Sequence, residues 1–418
     1  MELITKKQTY TTKITLMGVG GAGGNAVNSM VSEGLTGVEF VAANTDAQDL
    51  NKSLADRKIQ LGTEITKGLG AGGKPEVGKK AAEESEKEIA EILKGSGMLI
   101  ISAGMGGGTG TGAAPVIASI ARSLKILTMA IVSLPFDYEG PQRKEKAKKG
   151  IDELASAVDA LIVFPNNKIS KIYKVPLFDA FKKTDEVISN SAQAIIEIVN
   201  KIGHINLDFA DIESVMRDSG YALIGTGTAE GDDRAIKAAD IAISNPLLAD
   251  IDLSGCTALI VSTILGYDFM PHELDQIMEI ITSATGQRGN IKPGIIFDPN
   301  MDGKAKVTII ATGLTPSDAI NNLSGKVNDE TIITPFVQPQ PPKPDFIKSE
   351  PLPPPYLIPQ ATQETTNSPE YNDMVNRINK HNTIEVIPQG QNTITAMTAN
   401  NPSFGKTEMP AFLKKQFN

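Results

Sequence analysis

The sequence predicts an α/β fold built on a parallel sheet, then a long central helix, a second and smaller α/β domain, and a disordered C-terminal tail. Two observations support the sheet. Short, almost continuously apolar runs alternate with helix-like stretches between residues 13 and 165, and glycine-rich segments follow two of the runs. Such runs are typical of strands buried on both faces, and helices between them favour βαβ units. This Rossmann-like arrangement binds ligands at the carboxyl ends of its strands.

The first domain is predicted to cover residues 13–176. Its strand candidates are the apolar runs Ile14–Met17, Val38–Ala42, Met98–Ile101, Ile126–Val132 and Ala160–Phe164. A long helix is predicted over residues 177–202, because apolar side chains recur there at three- and four-residue spacing. At about 40 Å by its rise per residue, that helix can connect two domains.

The second α/β domain is predicted over residues 203–314. Its strand candidates are Tyr221–Ile224, Ala258–Val261, Gly294–Phe297 and Val307–Ala311. A short helix is expected over Ile212–Arg217. Each domain therefore repeats the alternation of strands and helices that predicts the fold class.

The two ends of the chain differ in composition from both domains. Residues 1–12 are predicted to be a flexible N-terminal tail. Prolines cluster between Pro335 and Pro359, so residues 315–402 are expected to be an extended, disordered linker. Residues 403–418 are predicted to be a docking peptide, in which Pro410 suits a first helical turn and Phe412, Leu413 and Lys414 follow it.

The composition excludes several classes of protein. A formal net charge of -9 argues against a general nucleic-acid binder, which needs a basic surface. The single cysteine, Cys256, cannot form an internal disulfide, and three histidines make a His-rich metal site improbable. No apolar run approaches the roughly 20 residues that span a bilayer. We therefore expect a soluble, cytoplasmic protein without direct membrane insertion.

The first glycine-rich segment is Gly18–Gly23, which matches G-x-G-x-x-G between a strand and a helix. Asp46 follows the next predicted strand, as in dinucleotide-binding folds. An NAD-binding oxidoreductase is therefore an open alternative at this point. A tight turn without a ligand is the plainer interpretation.

The second glycine-rich segment is Gly68–Gly73, followed by Lys74 and Pro75. It comes close to the P-loop pattern G-x-x-x-x-G-K-[ST]. However, Pro75 occupies the position of the hydroxyl that binds Mg²⁺, and no apolar run leads directly into the segment. The P-loop assignment is rejected, and a phosphate-contacting loop or a surface connection remains.

The third glycine-rich segment, Gly106–Gly112, lies between a predicted buried strand and an apolar helix. A flexible linker does not fit between two such elements. Backbone amides at a helix N-terminus form an anion site, and glycines leave them accessible. The hydroxyl groups of Thr109 and Thr111 add donors. The segment therefore predicts a phosphate site.

Together these segments make the sequence recognisable: it resembles the tubulin/FtsZ family of GTPases. The resemblance covers residues 13–314 and the final peptide. It rests on motifs in a fixed order, Gly20–Asn25, Asn44–Gln48, Gly68–Gly78, Gly106–Gly112, Pro135–Gly140, Asn206–Asp211, Asn245–Leu248 and Pro410–Gln416. It implies a GTP-hydrolysing protein that polymerises head to tail and forms the bacterial division ring at mid-cell.

The resemblance also implies the nucleotide site, with GTP as substrate and Mg²⁺ as its companion ion but no direct protein ligand for the metal. It assigns GTP binding to Gly20, Gly21, Ala22, Gly23, Gly24, Asn25, Asn44, Ala71, Gly72, Gly73, Gly104, Met105, Gly106, Gly107, Gly108, Thr109, Gly110, Thr111, Gly112, Pro135, Glu139, Arg143, Asn166, Phe181 and Asp185. Asp185 would accept hydrogen bonds from guanine, and Phe181, four residues earlier on the same helix face, would pack on the ring. Without the resemblance, a core position would be the better interpretation of Phe181.

Catalysis is implied to be shared between two subunits. Asn206, Asp208 and Asp211 match the family's catalytic loop, at the far end of the central helix from the nucleotide. They would act on the water that attacks the GTP of the next subunit. Helix capping is the structural alternative for Asp208 and Asp211. A scaffold that binds GTP without hydrolysing it is a third hypothesis, which these intact residues oppose.

The terminal peptide is implied to bind adaptor proteins that hold filaments at the membrane. Four residues depart from the family pattern: Ser29, Lys74, Leu134 and Ile202. We expect activity to survive these departures, with changed rates of hydrolysis or filament turnover.

Overall fold

The computed structural model describes residues 12–168, 176–201, 203–205, 207–245, 253–286 and 290–314. The predicted linker and docking peptide lie outside these residues, as do Asn206 and Ile202. The described strands are β1 Ile14–Val19, β2 Glu39–Asn44, β3 Arg57–Gln60, β4 Met98–Gly104, β5 Leu127–Leu134, β6 Ala160–Pro165, β7 Gly220–Glu230, β8 Ala258–Leu265, β9 Asn290–Phe297 and β10 Lys304–Leu314.

Helices connect most of these strands. They are α1 Gly20–Ser32, α2 Ala47–Asn51, α3 Thr63–Thr66, α4 Pro75–Glu84, α5 Glu86–Leu93, α6 Thr109–Ser123, α7 Pro141–Ala157, α8 Leu177–Asn200, α9 Phe209–Met216, α10 Arg234–Ile243 and α11 Pro271–Ala284. Proline occupies the first position of α4, α7 and α11, where its missing N–H costs no helical hydrogen bond.

The described strands form one sheet in the order β3-β2-β1-β4-β5-β6-β7-β10-β8-β9. From β3 to β7 all neighbours are parallel, which confirms the predicted fold class. The carboxyl ends of β2, β1 and β4 therefore meet at one edge. The glycine-rich segments after β1 and β4 follow neighbouring strands and begin side by side.

One strand was not anticipated from the sequence. β3 has four residues, of which Arg57 and Lys58 are exposed and Ile59 is buried. It lies at the edge of the sheet, where strands carry charged side chains on their open side. With a single buried apolar residue, β3 has no continuous apolar run to reveal it.

The second half of the sheet is mixed. β10 is antiparallel to both of its neighbours, β7 and β8, while β9 is parallel to β8. The two halves join where β6 pairs with β7, through Ala160 with Gly220 and Leu161 with Tyr221. Buried Asp159 supports this junction, since its backbone oxygen accepts from the Gly220 N–H at 3.1 Å.

Apolar clusters cover both faces of the sheet. One face packs against α4 to α7, α10 and α11, with fully buried side chains such as Ile117 and Ile277. The other packs against α1, α8 and α9, with Met30 and Ile195. The long helix α8 starts at the predicted residue and ends at Asn200, two residues before the predicted end. Its buried side chains pack against the sheet. No helix in the described part of the chain is long and apolar enough to cross a membrane.

Candidate functional site

The glycine-rich segments after β1 and β4 contact each other at the edge of the sheet. Gly20 has a φ of 73°, and a Cβ atom there would lie 3.0 Å from the Gly110 nitrogen. Across the same contact, a Cβ on Gly104 would lie 2.6 Å from the Ala22 Cβ. Because α1 begins at Gly20 and α6 at Thr109, two helix N-termini converge here. Their free N–H groups favour an anion.

The segment Gly68–Gly73 closes a second side of this edge. A Cβ on Gly108 would meet the Ala71 Cβ at 2.7 Å and the Lys74 nitrogen at 2.9 Å. Lys146 of α7 donates to the carbonyl oxygen of Gly73 at 2.7 Å. The second and third glycine-rich segments therefore form one continuous loop surface.

The end of β2 forms a third side. The hydroxyl groups of Thr45 and Thr109 share a hydrogen bond of 2.6 Å, and Asn44 donates to Asp49 at 2.8 Å. Asp46 caps α2, accepting from the backbone N–H groups of Gln48 and Asp49. The carboxylate of Asp46, on which the oxidoreductase alternative depends, is thus engaged in a helix cap.

The glycines fall into two groups. At Gly24, Gly72, Gly73 and Gly107, an added Cβ would meet no atom of the described residues within 4 Å. At Gly23, Gly110 and Gly112, the same atom would lie 2.2, 2.5 and 1.9 Å from the carbonyl oxygens of Ser102, Gly104 and Pro75. The first group borders open space. The second group is required by close packing of the loops and helices.

Two residues at the third segment turn inward, Thr111 within it and Met105 directly before it. Thr111 is buried, and its hydroxyl oxygen accepts from the Gly106 N–H at 2.8 Å. The N–H of buried Met105 donates to the carbonyl oxygen of Ser133 at 2.9 Å. These hydrogen bonds hold the loop in shape.

Charged and proline residues flank the loop on the side of α7. Glu139 accepts from the Phe136 N–H at 2.8 Å and pairs with Arg143 at 3.0 Å. A Cβ on Gly106 would lie 2.8 Å from the Arg143 Cγ and 3.3 Å from the Pro135 Cγ. Arg143 therefore lies against the loop, with about half of its side chain exposed.

The start of α8 brings an aromatic ring and a carboxyl group to the same edge. Phe181 is 47 % exposed, so it is not a core residue. Its ring stands edge-on to that of Phe136, with centroids 5.2 Å apart. Burial, helped by the charge of Glu186, raises the pKa of Asp185 to about 7.

Two asparagines complete this end of the site. Asn25 is exposed on the first turns of α1. Asn166 follows β6 and is buried, and its Oδ1 atom has no hydrogen-bond partner among the residues that the structure describes. A buried acceptor without a donor is costly, so Asn166 is suited to receive one from a ligand.

The predicted catalytic loop lies at the other end of α8. This helix has 24 residues and is about 36 Å long. Asp208 caps α9, its carboxylate accepting from the Asp211 N–H at 2.8 Å, and α9 begins at Phe209, before the predicted Ile212. Asp211 pairs with Lys292 at 3.0 Å. The capping role expected of Asp208 is thus confirmed, while catalysis stays a prediction.

Sequence reasoning missed two lysines. Lys146 and Lys292 contact predicted site residues, but both lie far from them in the chain and outside any motif. The positive charge of each lysine was the only property in the sequence that could have indicated a role in the site. The described residues contain no cluster of three or more His, Cys, Asp or Glu side chains that could hold a metal ion.

Comparisons with known proteins agree with this geometry. The GTPase-domain model of the tubulin/FtsZ family matches residues 13–174, and the C-terminal-domain model of the FtsZ family matches residues 220–315. Cell division protein FtsZ of Wigglesworthia glossinidia brevipalpis is 47 % identical over 303 residues, which cover 72 % of this chain and 79 % of the relative. The Wolbachia sp protein of the same name is 49 % identical over 326 residues, covering 75 % and 81 %.

Solved structures show the same relationship. An FtsZ dimer of M. jannaschii superposes with a TM-score of 0.68 at 40 % identity, covering 73 % of this chain and 89 % of that one. CetZ2 of Haloferax volcanii, at 21 % identity and a TM-score of 0.63, shares the fold. The chain belongs to the tubulin/FtsZ family, in its FtsZ branch, and is a GTPase involved in cell division.

Proposed function

We propose that this chain hydrolyses GTP between two subunits of a head-to-tail filament. The observation that carries the proposal is the separation of two sets of groups along α8. The glycine-rich edge lies at the amino end of this helix, and Asp208 and Asp211 lie beyond its carboxyl end. About 36 Å of helix keeps them apart in one chain. The two sets of groups meet when the surface of one subunit that carries Asp208 and Asp211 docks on the glycine-rich edge of another subunit.

The glycine-rich edge is proposed to bind the GTP phosphates. Free N–H groups at the starts of α1 and α6 stabilise negative charge, and the open positions Gly72, Gly73 and Gly107 let the phosphates approach the backbone. The buried hydroxyl of Thr111 and the Thr45–Thr109 hydrogen bond keep these loops in place before GTP arrives. Such preorganised donors cost little rearrangement on binding.

The guanine base is proposed to bind beside Phe181, Asp185 and Asn166. The exposed Phe181 ring offers a flat apolar surface, braced by Phe136. The ionised Asp185 carboxylate accepts from the base's N1–H and amino group. The Oδ1 atom of Asn166, which has no hydrogen-bond partner among the described residues, accepts a hydrogen bond from a further donor of the base.

Hydrolysis is proposed to need Asp208 and Asp211 of the adjacent subunit, with Asn206. Their carboxylates orient a water molecule and draw on its protons as its oxygen attacks the terminal phosphorus. The bond from that phosphorus to the bridging oxygen breaks, and GDP and phosphate leave. Positioning and charge stabilisation supply most of the rate enhancement in such reactions.

Mg²⁺ is proposed to bind through the GTP phosphates and water. Mg²⁺ in nucleotide sites is often held mainly by the phosphates and water, with few protein ligands. Bound there, the ion would neutralise charge developing on the phosphates. The chain's own contribution is the set of backbone amides that hold the phosphates.

A head-to-tail contact uses two different surfaces and does not close, so it generates a filament. The similar M. jannaschii protein is described as a dimer, which supports self-association. We propose that such filaments form the division ring at mid-cell in the cytoplasm. The terminal residues Pro410, Phe412, Leu413 and Lys414 would bind membrane-tethering adaptors, with residues 315–402 as the connecting linker.

Sedimentation with and without GTP tests the proposal. Filaments should sediment with GTP and Mg²⁺, and should disappear as GTP is consumed. Asp211→Ala should bind GTP normally but lose at least 90 % of hydrolysis, while the matched Asp233→Ala, on the exposed start of α10, should keep it. Wild-type hydrolysis in Asp211→Ala would contradict the shared site.

Deletion of residues 408–418 tests the adaptor role. GTPase activity and assembly should survive, and a pull-down of membrane-tethering division proteins should fail. Unchanged capture by the shortened chain would rule out this part of the proposal.

A further inference from the structure

Strand β9 lies along the described part of the predicted catalytic loop, residues 203–205 and 207–211, and fixes the backbone at its start. The His204 N–H donates to the carbonyl oxygen of Ile295 at 2.7 Å, and the Ile295 N–H donates to that of Ile205 at 3.0 Å. A Cβ on Gly203 would lie 2.4 Å from the Ile295 oxygen, so the chains touch. The start of the loop is therefore attached to β9 as a short antiparallel bridge.

Side chains extend this attachment in both directions. The rings of His204 and Phe297 meet edge-on with centroids 5.8 Å apart. Leu207 is buried over Gly294, where an added Cβ would lie 2.6 Å from the leucine Cδ1. Further along the same strand, the loop ends at Asp211, opposite Lys292.

Lys292 is the polar end of this series of contacts. Its Nζ donates to Oδ1 of Asp211 at 3.0 Å, and about one third of each side chain is exposed. The pair is therefore neither buried in the core nor free in solvent. It lies at the surface of the loop, where a docking subunit would meet it.

Lys292 also affects the protonation of Asp211. The hydrogen bond from Lys292 is the largest cause that lowers the pKa of the Asp211 carboxyl, burial opposes it, and Asp208 adds a smaller lowering. Lys292 from β9 and Asp208 from the helix start are the charged groups that act on Asp211 in the described structure. The carboxylate is thus held in its ionised form.

We infer that Lys292 is a positioning residue for GTP hydrolysis: its ammonium group holds the Asp211 carboxylate in the orientation that the attacking water requires. The inference rests on the proposed function, because it concerns the same loop and the same reaction. It adds a group from a distant strand that no motif of the chain includes.

The physical reason is the freedom of a surface carboxylate. Asp211 can rotate about two side-chain bonds, and each alternative orientation removes it from the water. Holding Oδ1 with Lys292 fixes the direction of Oδ2, the second acceptor of the group. Because reaction rates depend steeply on such alignment, a single added contact has a large effect.

The experiment uses the full-length chain and three variants. Lys292→Met keeps the length of the side chain but removes the ammonium group, and Lys292→Arg restores a cation. Lys306→Met is the matched control, because Lys306 lies on β10, two strands away in the same sheet, and forms a 2.7 Å pair with Glu197 away from the loop. Phosphate release is measured per sedimented subunit at saturating GTP, and assembly is measured separately with a slowly hydrolysed GTP analogue.

Lys292→Met should lower kcat about tenfold with KM within twofold, and should assemble normally with the analogue. As the pH is lowered, kcat of this variant should begin to fall at a higher pH than kcat of the wild type. The reason is that the Asp211 carboxylate is protonated more easily without Lys292. Lys292→Arg should recover at least half of the rate, and Lys306→Met should stay within twofold of the wild type.

Two results would overturn the inference. One is that Lys292→Met hydrolyses GTP at the wild-type rate per assembled subunit, with the same fall of kcat at low pH as the wild type. The other is a fall in hydrolysis that only follows a fall in assembly. Asp211→Ala separates this failure from a failure of the proposed function: if it abolishes hydrolysis while Lys292→Met does not, only the role of Lys292 is wrong.

Discussion

Lys146 of α7 donates a hydrogen bond of 2.7 Å to the carbonyl oxygen of Gly73, and so joins a helix to the loop that follows α3. Gly72 and Gly73 both have positive φ angles, 58° and 69°, which gives this loop two consecutive left-handed residues. Glycine adopts such angles easily but loses much entropy when it is fixed. The lysine offsets part of that cost before any ligand binds.

Lys146→Met is therefore expected to weaken GTP binding by about threefold to tenfold, which corresponds to the loss of one exposed hydrogen bond worth about 1 kcal/mol. Thermal stability should change little, because the side chain lies at the surface. Lys149→Met is the control, since Lys149 is on the same helix but pairs with exposed Glu145. Titration with a fluorescent GTP analogue measures both, and equal affinities in the two variants would contradict the role of Lys146.

The two groups of glycines predict opposite phenotypes. Gly112→Ala places a methyl group against the Pro75 oxygen between α6 and α4, so we expect a loss of about 1–3 kcal/mol of unfolding free energy. Gly107→Ala has room in the free protein and should fold normally, but the methyl group should obstruct a phosphate. Its GTP affinity should fall at least tenfold, about 1.4 kcal/mol.

Urea denaturation and GTP titration distinguish these two phenotypes. The prediction is wrong if Gly112→Ala is as stable as the wild type, or if Gly107→Ala binds GTP with wild-type affinity.

Asp185, the proposed guanine contact, is expected to make GTP binding dependent on pH. Burial raises the pKa of its carboxyl to about 7, so the group is mostly protonated at pH 6 and mostly ionised at pH 8. Only the ionised form accepts two hydrogen bonds from guanine. Affinity should therefore rise about tenfold from pH 6 to pH 8 through this group.

Calorimetric titration at several pH values measures that change, and Asp185→Asn supplies the control. The variant should bind more weakly and lose the part of the pH dependence that belongs to Asp185. An identical pH profile in wild type and variant would assign the dependence to the nucleotide alone.

Arg234 forms a network of ion pairs between α10, α11 and the segment before α11. It is buried, donates to both oxygens of Glu273 at 2.9 and 3.0 Å, pairs with Asp268 at 2.6 Å, and lies over the Phe269 ring. Arg234→Met leaves the buried Glu273 carboxylate unpaired, so we expect a loss of about 3–5 kcal/mol. Lys237→Met, which breaks an exposed pair with Asp233, should cost less than about 1 kcal/mol.

The contribution of Arg234 should also depend on pH. Its hydrogen bonds lower the pKa of the Glu273 carboxyl below the ordinary 4.5. The stabilisation is therefore present above pH 4.5 and is lost as the pH falls through the lowered pKa. The difference in unfolding free energy between Arg234→Met and the wild type should shrink in acid, and a constant difference would contradict the assignment.

The sequence predicted the sheet well because its strands are buried on both faces and appear as apolar runs. β3 escaped prediction since an edge strand with charged Arg57 and Lys58 has no such run. The long helix α8 was visible through its periodicity. The exposure of Phe181 was not, because a phenylalanine on an apolar helix face gives the same pattern whether it borders the core or a ligand site.

The glycine-rich loops could be located from the sequence, but their division into open and packed positions could not. Gly107 and Gly112 are both glycines of the same segment, and the sequence gives no sign of a difference between them. The difference lies in the fold, where the Pro75 backbone approaches Gly112 but not Gly107. Lys146 and Lys292 were unpredictable for a related reason. A surface lysine has no preferred partner until tertiary structure brings one within reach.

The short pairing of β6 with β7 has a mechanical consequence. In the proposed filament, a pulling force would pass through each subunit from one docking surface to the other, and the sheet would transmit part of this force. At this junction the backbone connection rests on Ala160 with Gly220 and Leu161 with Tyr221, while β5 and β6 are paired along the whole of β6. Tension would therefore concentrate at this junction, and buried Asp159, which accepts from Gly220 and from the Thr128 N–H at 2.8 Å, is placed to resist it.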